Sequence, residues 1–500
     1  MVLILAAVLI AGCTFASPST TAVPPAATGS PAAPAVRRLT ILYTNDEHGW
    51  LSAQRNKDGS SVGGAAELLG RWQAVEGYTA DGPFLVLSGG DMWTGPAIST
   101  WFSGDSTVEI MNQMGYRAAA IGNHEFDFGV DVLRRQAQAL KFPLLSANLV
   151  RKGTTEHPDF VKPFVVVEAG GLKIGIIGLT TTTTPQVTNP KHVADFQFLP
   201  YADALTRYAP RVRAAGADVL IVLAHVCGDQ VRGLAPKARA LGVHVLTTGH
   251  CHERIAEEIG GVAIIGGGDY LKSYARLTLE VDAAAGKVIG QRAAVVDNTA
   301  TAQGPAADAT IAGRVAFWQR KADDALGDVI GYTRTGLAHR SDALFNLVTD
   351  AWLWAYPTAD FAVTNRGGFR QGIDPGPITL GDIVNVLPFN NQLVDVAITA
   401  AQLKANLDCC GGVIAGFTYA GGRLLTPDGA PLDPHKTYHV LVNDFMYGGG
   451  DNFKFAKQDP NAYFTALDWR QPVIDYLRWL DTREKTPVEM RLDAKPRSAP

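Results

Sequence analysis

Short apolar runs at 39–43, 84–87, 118–121, 144–147, 173–179, 219–224 and 243–247 alternate with amphipathic stretches such as 65–75, 130–140 and 202–214. Strand-length runs alternating with helix-length stretches require a layered α/β domain in which helices cover the sheet. Most of the runs close on a polar cluster: Asn45-Asp46-Glu47-His48, Gly89-Gly90-Asp91, Gly122-Asn123-His124-Glu125, His225 and Gly249-His250-Cys251-His252. The carboxyl ends of parallel strands share one edge of a sheet, so clusters far apart in sequence converge there on one site. Further runs at 262–265 and 274–281 complete a sandwich near residue 300.

An Ala-rich polar stretch at 299–309 marks a boundary, a helix is expected over 312–326, and a second region then begins with strands and turns of its own. The chain divides into a body at 37–305, a linking helix at 306–326, a second domain at 327–488 and a Pro- and charge-rich tail at 489–500 that is expected to fray. Five hundred residues suit two to four domains. Forty-four basic against 48 acidic side chains leave a net charge of −4, which excludes a bulk positive field for a nucleic-acid polymer or an anionic membrane. Any phosphate must be gripped locally, by metals, Arg or backbone amides.

Residues 1–10 are wholly apolar and run into Ala11-Gly12-Cys13, too short a stretch to span a bilayer. It has the character of a secretory signal, and Leu9-Ile10-Ala11-Gly12-Cys13 resembles a bacterial lipobox, in which Cys13 is acylated and becomes the mature N-terminus. The Ala, Pro, Ser and Thr of 14–36 then form an extended, disordered tether. The expected location is beyond the bacterial inner membrane, lipid-anchored at the envelope or periplasmic.

Asp46, His48, Asp91, Asn123, His225, His250 and His252 offer carboxylate, imidazole and amide ligands, a mixture suited to Zn, Mn or Fe rather than to Ca or a thiolate site. Seven ligands suffice for two ions, and a carboxylate such as Asp91 can bridge them. Cys227 and Cys251 flank these ligands and are either bonded to each other beside the metals or, the preferred reading, small buried spacers. Cys409 and Cys410 are taken as free or separately buried thiols, because a ring closed between neighbours is strained. With Cys13 they make up all five cysteines, too few and too irregular for a disulfide framework.

In this order, Asp46-x-His48, Gly90-Asp91, Gly122-Asn123-His124-Glu125, His225 and Gly249-His250-x-His252 resemble the calcineurin-like metallophosphoesterase signature. Thr44-Asn45-Asp46-x-His48-Gly49 and Asn123-His124-Glu125-Phe126-Asp127 more closely resemble the 5′-nucleotidase family, and the likeness extends over about 37–485. It implies an α/β fold with an N-terminal αββα metallophosphatase sandwich, a linking helix and a C-terminal α/β specificity domain. It also implies two divalent ions (Zn, Mn or similar), one held by Asp46, His48, Asp91 and His252, the other by Asp91, Asn123, His225 and His250. His124 takes the catalytic position, oriented by Asp127. His157, His192, His339, His435 and His439 fall outside the pattern and are taken as structural or solvated.

In the second domain, Asn365-Arg366-Gly367-Gly368-Phe369-Arg370, Leu387-Pro388-Phe389-Asn390-Asn391 and Asp444-Phe445-Met446-Tyr447-Gly448-Gly449-Gly450-Asp451 are similar to the family's substrate loops. Two aromatics on separate loops can sandwich a flat base, and a nearby Asp can accept from ribose hydroxyls. The resemblance assigns Phe389 and Phe445 to the base, Asp451 to the ribose, and Asn365 and Arg370 to polar or phosphate contacts, with Asn391 as a further substrate residue. Two departures stand out. The end of the opening helix, Trp352-Leu353-Trp354-Ala355-Tyr356-Pro357, lacks the family's usual Arg, and Arg366 replaces a Gly, either restoring a charge to the pocket or facing solvent. The implied function is an extracytoplasmic 5′-nucleotidase that releases nucleoside and phosphate. Alternatives on the same scaffold are a 2′,3′-cyclic-nucleotide phosphodiesterase, a UDP-sugar hydrolase and a sulfur-ester hydrolase. A catalytically idle nucleotide-binding surface protein is the alternative of another class, and an intact ligand set beside His124 and Asp127 argues against it. The expected partners are a nucleotide and, through the anchor, a membrane; oligomeric state is left open.

Overall fold

The computed structural model describes residue 12 and residues 36–56, 58–282 and 285–497. The expected signal segment with Cys13, and the tether up to residue 35, lie outside the described residues except for residue 12.

Two six-stranded sheets pack face to face. The first runs Lys287–Asp297, Ser273–Asp282, Val36–Thr44, Phe84–Ser88, Tyr116–Ala120, Leu144–Leu145, and its last four strands are parallel. The second runs Arg254–Ile259, Val262–Gly267, Val245–Thr247, Val219–His225, Leu172–Thr180, Phe164–Ala169, with a parallel centre and an antiparallel strand at each edge. Side chains alternate across a strand, and the sequence uses both faces. Leu39, Ile41 and Tyr43 meet Val219, Ile221 and Leu223 between the sheets. Leu42 and Val86 turn outward to the helices Ala65–Arg71 and Asp105–Met114, while Leu220, Val222 and Ala224 turn outward to Tyr201–Ala214 and Gly228–Ala240. The layers are therefore α, β, β, α.

The helix Ala309–Leu326 starts where the Asp308 carboxylate accepts from Thr310 N and Ile311 N. It belongs physically to the sandwich: Ile311 and Trp318 join the first outer core, and the Arg314 guanidinium and Trp318 indole both donate to Glu109. Beyond it, a five-stranded sheet runs Val413–Ala415, Phe361–Thr364, Thr437–Asn443, Gln392–Thr399, Tyr463–Asp468. Asp342–Ala355 and Gln471–Leu480 cover one face of this sheet and Ala400–Cys410 the other.

Three expectations change. The strand opens at Val36, which pairs with Asp282, so the tether does not reach residue 36. The C-terminal segment is docked rather than frayed. Val488 is fully buried, the Glu489 carboxylate accepts from Thr333 Oγ1 at 2.6 Å and Thr335 N at 2.7 Å, and Arg497 pairs with Asp350. Its polar groups have distant partners that composition cannot reveal. Both cysteine pairs are bonded, Cys227 to Cys251 and Cys409 to Cys410. The first pair is separated by 24 positions, yet the fold brings the two Cα atoms to 5.1 Å, an ordinary bridging distance.

Candidate active site

Strands Val36–Thr44 and Phe84–Ser88 run parallel and end at the same edge. Their loops are zipped there by backbone hydrogen bonds, Asp46 N to Gly90 O and His48 N to Asp91 O at 2.9 Å and Gly49 N to Met92 O at 2.8 Å. Unusual backbone accompanies the zip and recurs in the loop at 250–252. Asp46, His48, Asp91, His250 and His252 have φ of 51°, 47°, 59°, 71° and 57°, in the left-handed region that L-residues rarely occupy. Five of the seven expected ligands are thereby turned from separate strands toward one point. Gly122 permits a close approach: a Cβ there would collide with the Asp91 carboxylate.

Ligand atoms of Asp46, His48 and His252 form one group, and those of Asp91, His225 and His250 a second, each within a 4.8 Å span. Asp91 Oδ2 lies between the groups, 3.1 Å from His225 Nε2 and 3.9 Å from His48 Nε2. The residues fit a cation. His48 Nδ1 lies 2.8 Å from Thr94 O, His225 Nδ1 lies 2.8 Å from Gly89 O, and Asn123 Nδ2 donates to Val187 O at 3.2 Å. Each anchor turns the opposite atom inward: His48 Nε2 and Asn123 Oδ1 are buried with no hydrogen-bond partner among the described residues, and the buried His225 Nε2 faces the Asp91 carboxylate. Buried polar atoms are rarely orphaned, and histidines that donate backward through one nitrogen commonly ligate through the other.

The electrostatics agree. Burial alone would push the His225 imidazolium down and the Asp91 carboxyl up, but each charge holds the other. His225 is raised to about 10, and Asp91 is kept well below the usual carboxylate range by His225, His124 and His48. A proton held that way is one that a metal ion displaces. Burial, helped by the His225 charge, lowers His250 to about 4, which keeps its imidazole neutral and able to coordinate.

Beside this cluster His124 Nδ1 lies 2.7 Å from Asp127 Oδ2, and His124 N donates to Asp91 Oδ1 at 2.8 Å. Burial opposes a charge on the ring, but Asp127 and Asp91 overcome it and raise its pKa above the ordinary imidazole value. Asn365, Arg370, Phe389, Asn391, Phe445 and Asp451 from the second domain share one cleft of about 240 Å³ with Asp91, Asn123, His124, Asp127, His250 and His252. Asp46, His48 and His225 are buried behind its wall. The Phe389 ring stacks on His124 at 5.8 Å and 25°, and the Arg370 guanidinium lies 5.7 Å over Phe389. Asn443 Nδ2 donates to Asn365 Oδ1 at 3.0 Å, and Asn365 Nδ2 in turn donates to Asp451 Oδ2 at 2.8 Å. Phe445 packs on Gly450, where a Cβ would strike its ring.

Several cleft positions have no signal in the sequence. Thr188, Asn189 and His192 line the same cleft, His192 with its Nδ1 2.8 Å from Phe126 O. Thr188 Oγ1 donates to Asp127 Oδ1 at 3.1 Å, and Asn189 Nδ2 reaches across to Asp444 Oδ2 at 3.3 Å. Glu125, noted only as part of a motif, accepts from Gly122 N at 2.6 Å, Met92 N at 2.7 Å and Asp91 N at 2.9 Å, pinning two ligand loops together. Burial, with the neighbouring Asp91 charge, pushes Glu125 up to about 7. Arg366 turns its guanidinium over Phe345 at 5.3 Å, whereas Arg370 lines the cleft.

An αββα sandwich gathering carboxylates, imidazoles and an amide where strands of both sheets end, beside a His–Asp pair, has the architecture of a metallophosphoesterase. Residues 328–458 match the 5′-nucleotidase C-terminal domain, and residues 86–254 match the bacterial capsule synthesis protein PGA_cap. UshA of Escherichia coli K12 is 28% identical over 494 residues, covering 86% of this chain and 89% of UshA. The cell wall protein Lmo0130 of Listeria monocytogenes is 26% identical over 506 residues; the match takes in 84% of this chain but spans only 64% of the Listeria protein. The crystal structure of a 5′-nucleotidase precursor from Thermus thermophilus superposes with a TM-score of 0.78 at 26% identity, covering 92% of this chain and 98% of that one. Over most of its length the chain is thus similar to 5′-nucleotidases and UshA proteins, and it shares their hydrolase fold.

Proposed function

We propose that this protein is a 5′-nucleotidase-type phosphoesterase that works outside the cytoplasmic membrane, converting nucleotides to nucleoside and phosphate with two divalent ions bound. The sandwich at 37–305 is its metal domain, 306–326 the link and 327–488 its specificity domain. Asp46, His48, Asp91 and His252 would hold one ion and Asp91, Asn123, His225 and His250 the other. When bound, such ions supply Lewis-acid chemistry and neutralise phosphoryl charge. His124, kept protonated by its Nδ1 contact with Asp127, would give its Nε2 proton to the departing ribose oxygen. Phe389 and Phe445 grip the base, Asp451 accepts from the ribose hydroxyls under the orientation of Asn365, and Arg370 balances the phosphate.

The feature that carries this proposal is the stack of Phe389 on His124, which sets a base-sized aromatic surface within one ring contact of the proton donor. Export is supported by the apolar run ending at Cys13 and by two disulfides, which persist in oxidising compartments. Among the described residues no helix is long and apolar enough to cross a membrane. The test is phosphate release from nucleoside mono-, di- and cyclic phosphates and UDP-sugars after chelation and return of Mn, Zn, Co or Mg. Metal-restored turnover led by nucleoside monophosphates is expected. Preference for a cyclic nucleotide or a UDP-sugar would move the protein to that activity, and no turnover of any would leave it a binding protein.

A further inference from the structure

Cys227 lies two residues beyond His225, and Cys251 stands between His250 and His252. The strands that deliver these loops pair only through Ile221 with Val245 and Val222 with Leu246. Their direct ladder ends before it reaches any ligand, although Ala224 N still donates to Thr247 Oγ1 at 2.9 Å and His225 pairs with Thr180 on its other side; past those bonds the ladder does not tie the two loops to each other. Other bonds do. Gly249 N donates to Val226 O at 3.1 Å, Gly228 N donates to the Glu253 carboxylate, and Cys227 is bonded to Cys251 across a Cα separation of 5.1 Å. Immediately beside this junction the His225 and His250 rings lie 5.3 Å apart.

We propose that the Cys227–Cys251 bond is a positioning clamp for the metal site. It fixes covalently the distance between the loop carrying His225 and the loop carrying His250 and His252, so that one bond sets ligands of both ions. Its role is to limit the spread of the two loops when no cation draws them together, which lowers the ordering cost of ion binding. The inference rests on the metal-site assignment above and adds to it residues that touch neither ion nor substrate.

The test uses the full chain carrying Cys227→Ser and Cys251→Ser together, so that neither position is left with a free thiol to bind metal. The probe is manganese, which prefers oxygen and nitrogen donors to thiolate. Manganese affinity is measured by chelator competition, and the metal-free melting temperature and circular dichroism are measured in parallel. The expected result is a 10- to 100-fold weaker Kd, the range seen when groups supporting metal ligands are lost, with metal-free secondary structure retained. Because the variant could fold poorly, the same affinity is measured on protein with Cys409→Ser and Cys410→Ser, before and after a water-soluble phosphine reduces the remaining bond. There the phosphine is oxidised to its oxide with oxygen from water, and each sulfur becomes a thiol. An affinity within twofold of the unreduced protein, or a loss matched by equal loss of metal-free structure, overturns the clamp. Failure of the unaltered protein to bind manganese, zinc or cobalt would overturn the metal site itself, a distinct outcome.

Discussion

The Phe389 ring lies face to face with the His124 imidazole, 5.8 Å away and inclined by 25°, so a side chain of the second domain buttresses the His–Asp pair of the first. A residue assigned to base recognition thus also borders the reacting centre. Phe445 packs instead on Gly450 of its own domain.

The two phenylalanines should therefore separate kinetically. Phe445→Ala should raise KM for a nucleotide on the order of 5- to 150-fold, the equivalent of about 1 to 3 kcal/mol of stacking, and leave p-nitrophenyl phosphate turnover near wild type. Phe389→Ala should impair both substrates, because it also removes the ring against His124. Steady-state kinetics on the two esters check this, and identical profiles for the two variants would refute it.

His124→Ala should lower kcat on the order of 10²- to 10⁴-fold while metal content by elemental analysis stays at the wild-type level. Thr188→Val, which deprives Asp127 of one donor at 3.1 Å, should lower kcat by a smaller factor, roughly 3- to 10-fold for one hydrogen bond. Metal lost from His124→Ala would make His124 a ligand instead.

Asp91→Ala should empty or disorder the metal site, since Asp91 Oδ2 sits between histidines of both groups. Glu125→Gln should act one step removed: it disturbs a carboxylate that receives three backbone N–H groups of the ligand loops and should weaken metal binding about 10- to 100-fold. Metal titration with a chelator buffer ranks the two.

Glu489 gives a pH signature of stability. Burial favours its neutral form, but hydrogen bonds from Thr333 and Thr335 prevail and lower its pKa from 4.5 to about 2. A carboxyl depressed on folding stabilises the native state above its unfolded value and loses that contribution as pH falls through the folded value. Glu489→Gln should cost about 1 to 2 kcal/mol at pH 7, and its melting-temperature deficit should shrink from pH 4.5 toward pH 2. A deficit constant with pH would rule out the ionised carboxylate as the cause.

Cys13→Ser should release the protein from membranes and leave phosphate release intact. Membrane fractionation with mass analysis of the mature N-terminus decides; soluble, unacylated wild-type protein would dispose of the anchor.

The residues of the candidate metal site were legible because each sits at or near the end of an apolar run in a short motif, and the run at 39–43 that reads as a strand also aims the chain at the site. Thr188, Asn189 and His192 were not, since no periodicity or motif distinguishes the segment carrying them, and their partners Asp127 and Asp444 come from other elements. The Cys227–Cys251 bond could not be decided from sequence, because the distance between two loops is a property of the folded chain, not of the 24 positions between them. Glu125 was visible as a letter of a motif, but its task depends on three N–H groups that only the folded loops bring to it.

The left-handed backbone at Asp46, His48, Asp91, His250 and His252 sets two evolutionary pressures against each other at five codons. Each such residue destabilises the metal-free fold on the order of 1 kcal/mol, a strain that glycine would relieve. Glycine, however, brings no carboxylate or imidazole. A library selected only for heat resistance should drift toward glycine at these five positions and lose its capacity for ions, whereas a library selected for turnover should keep the strained residues and gain its stability elsewhere.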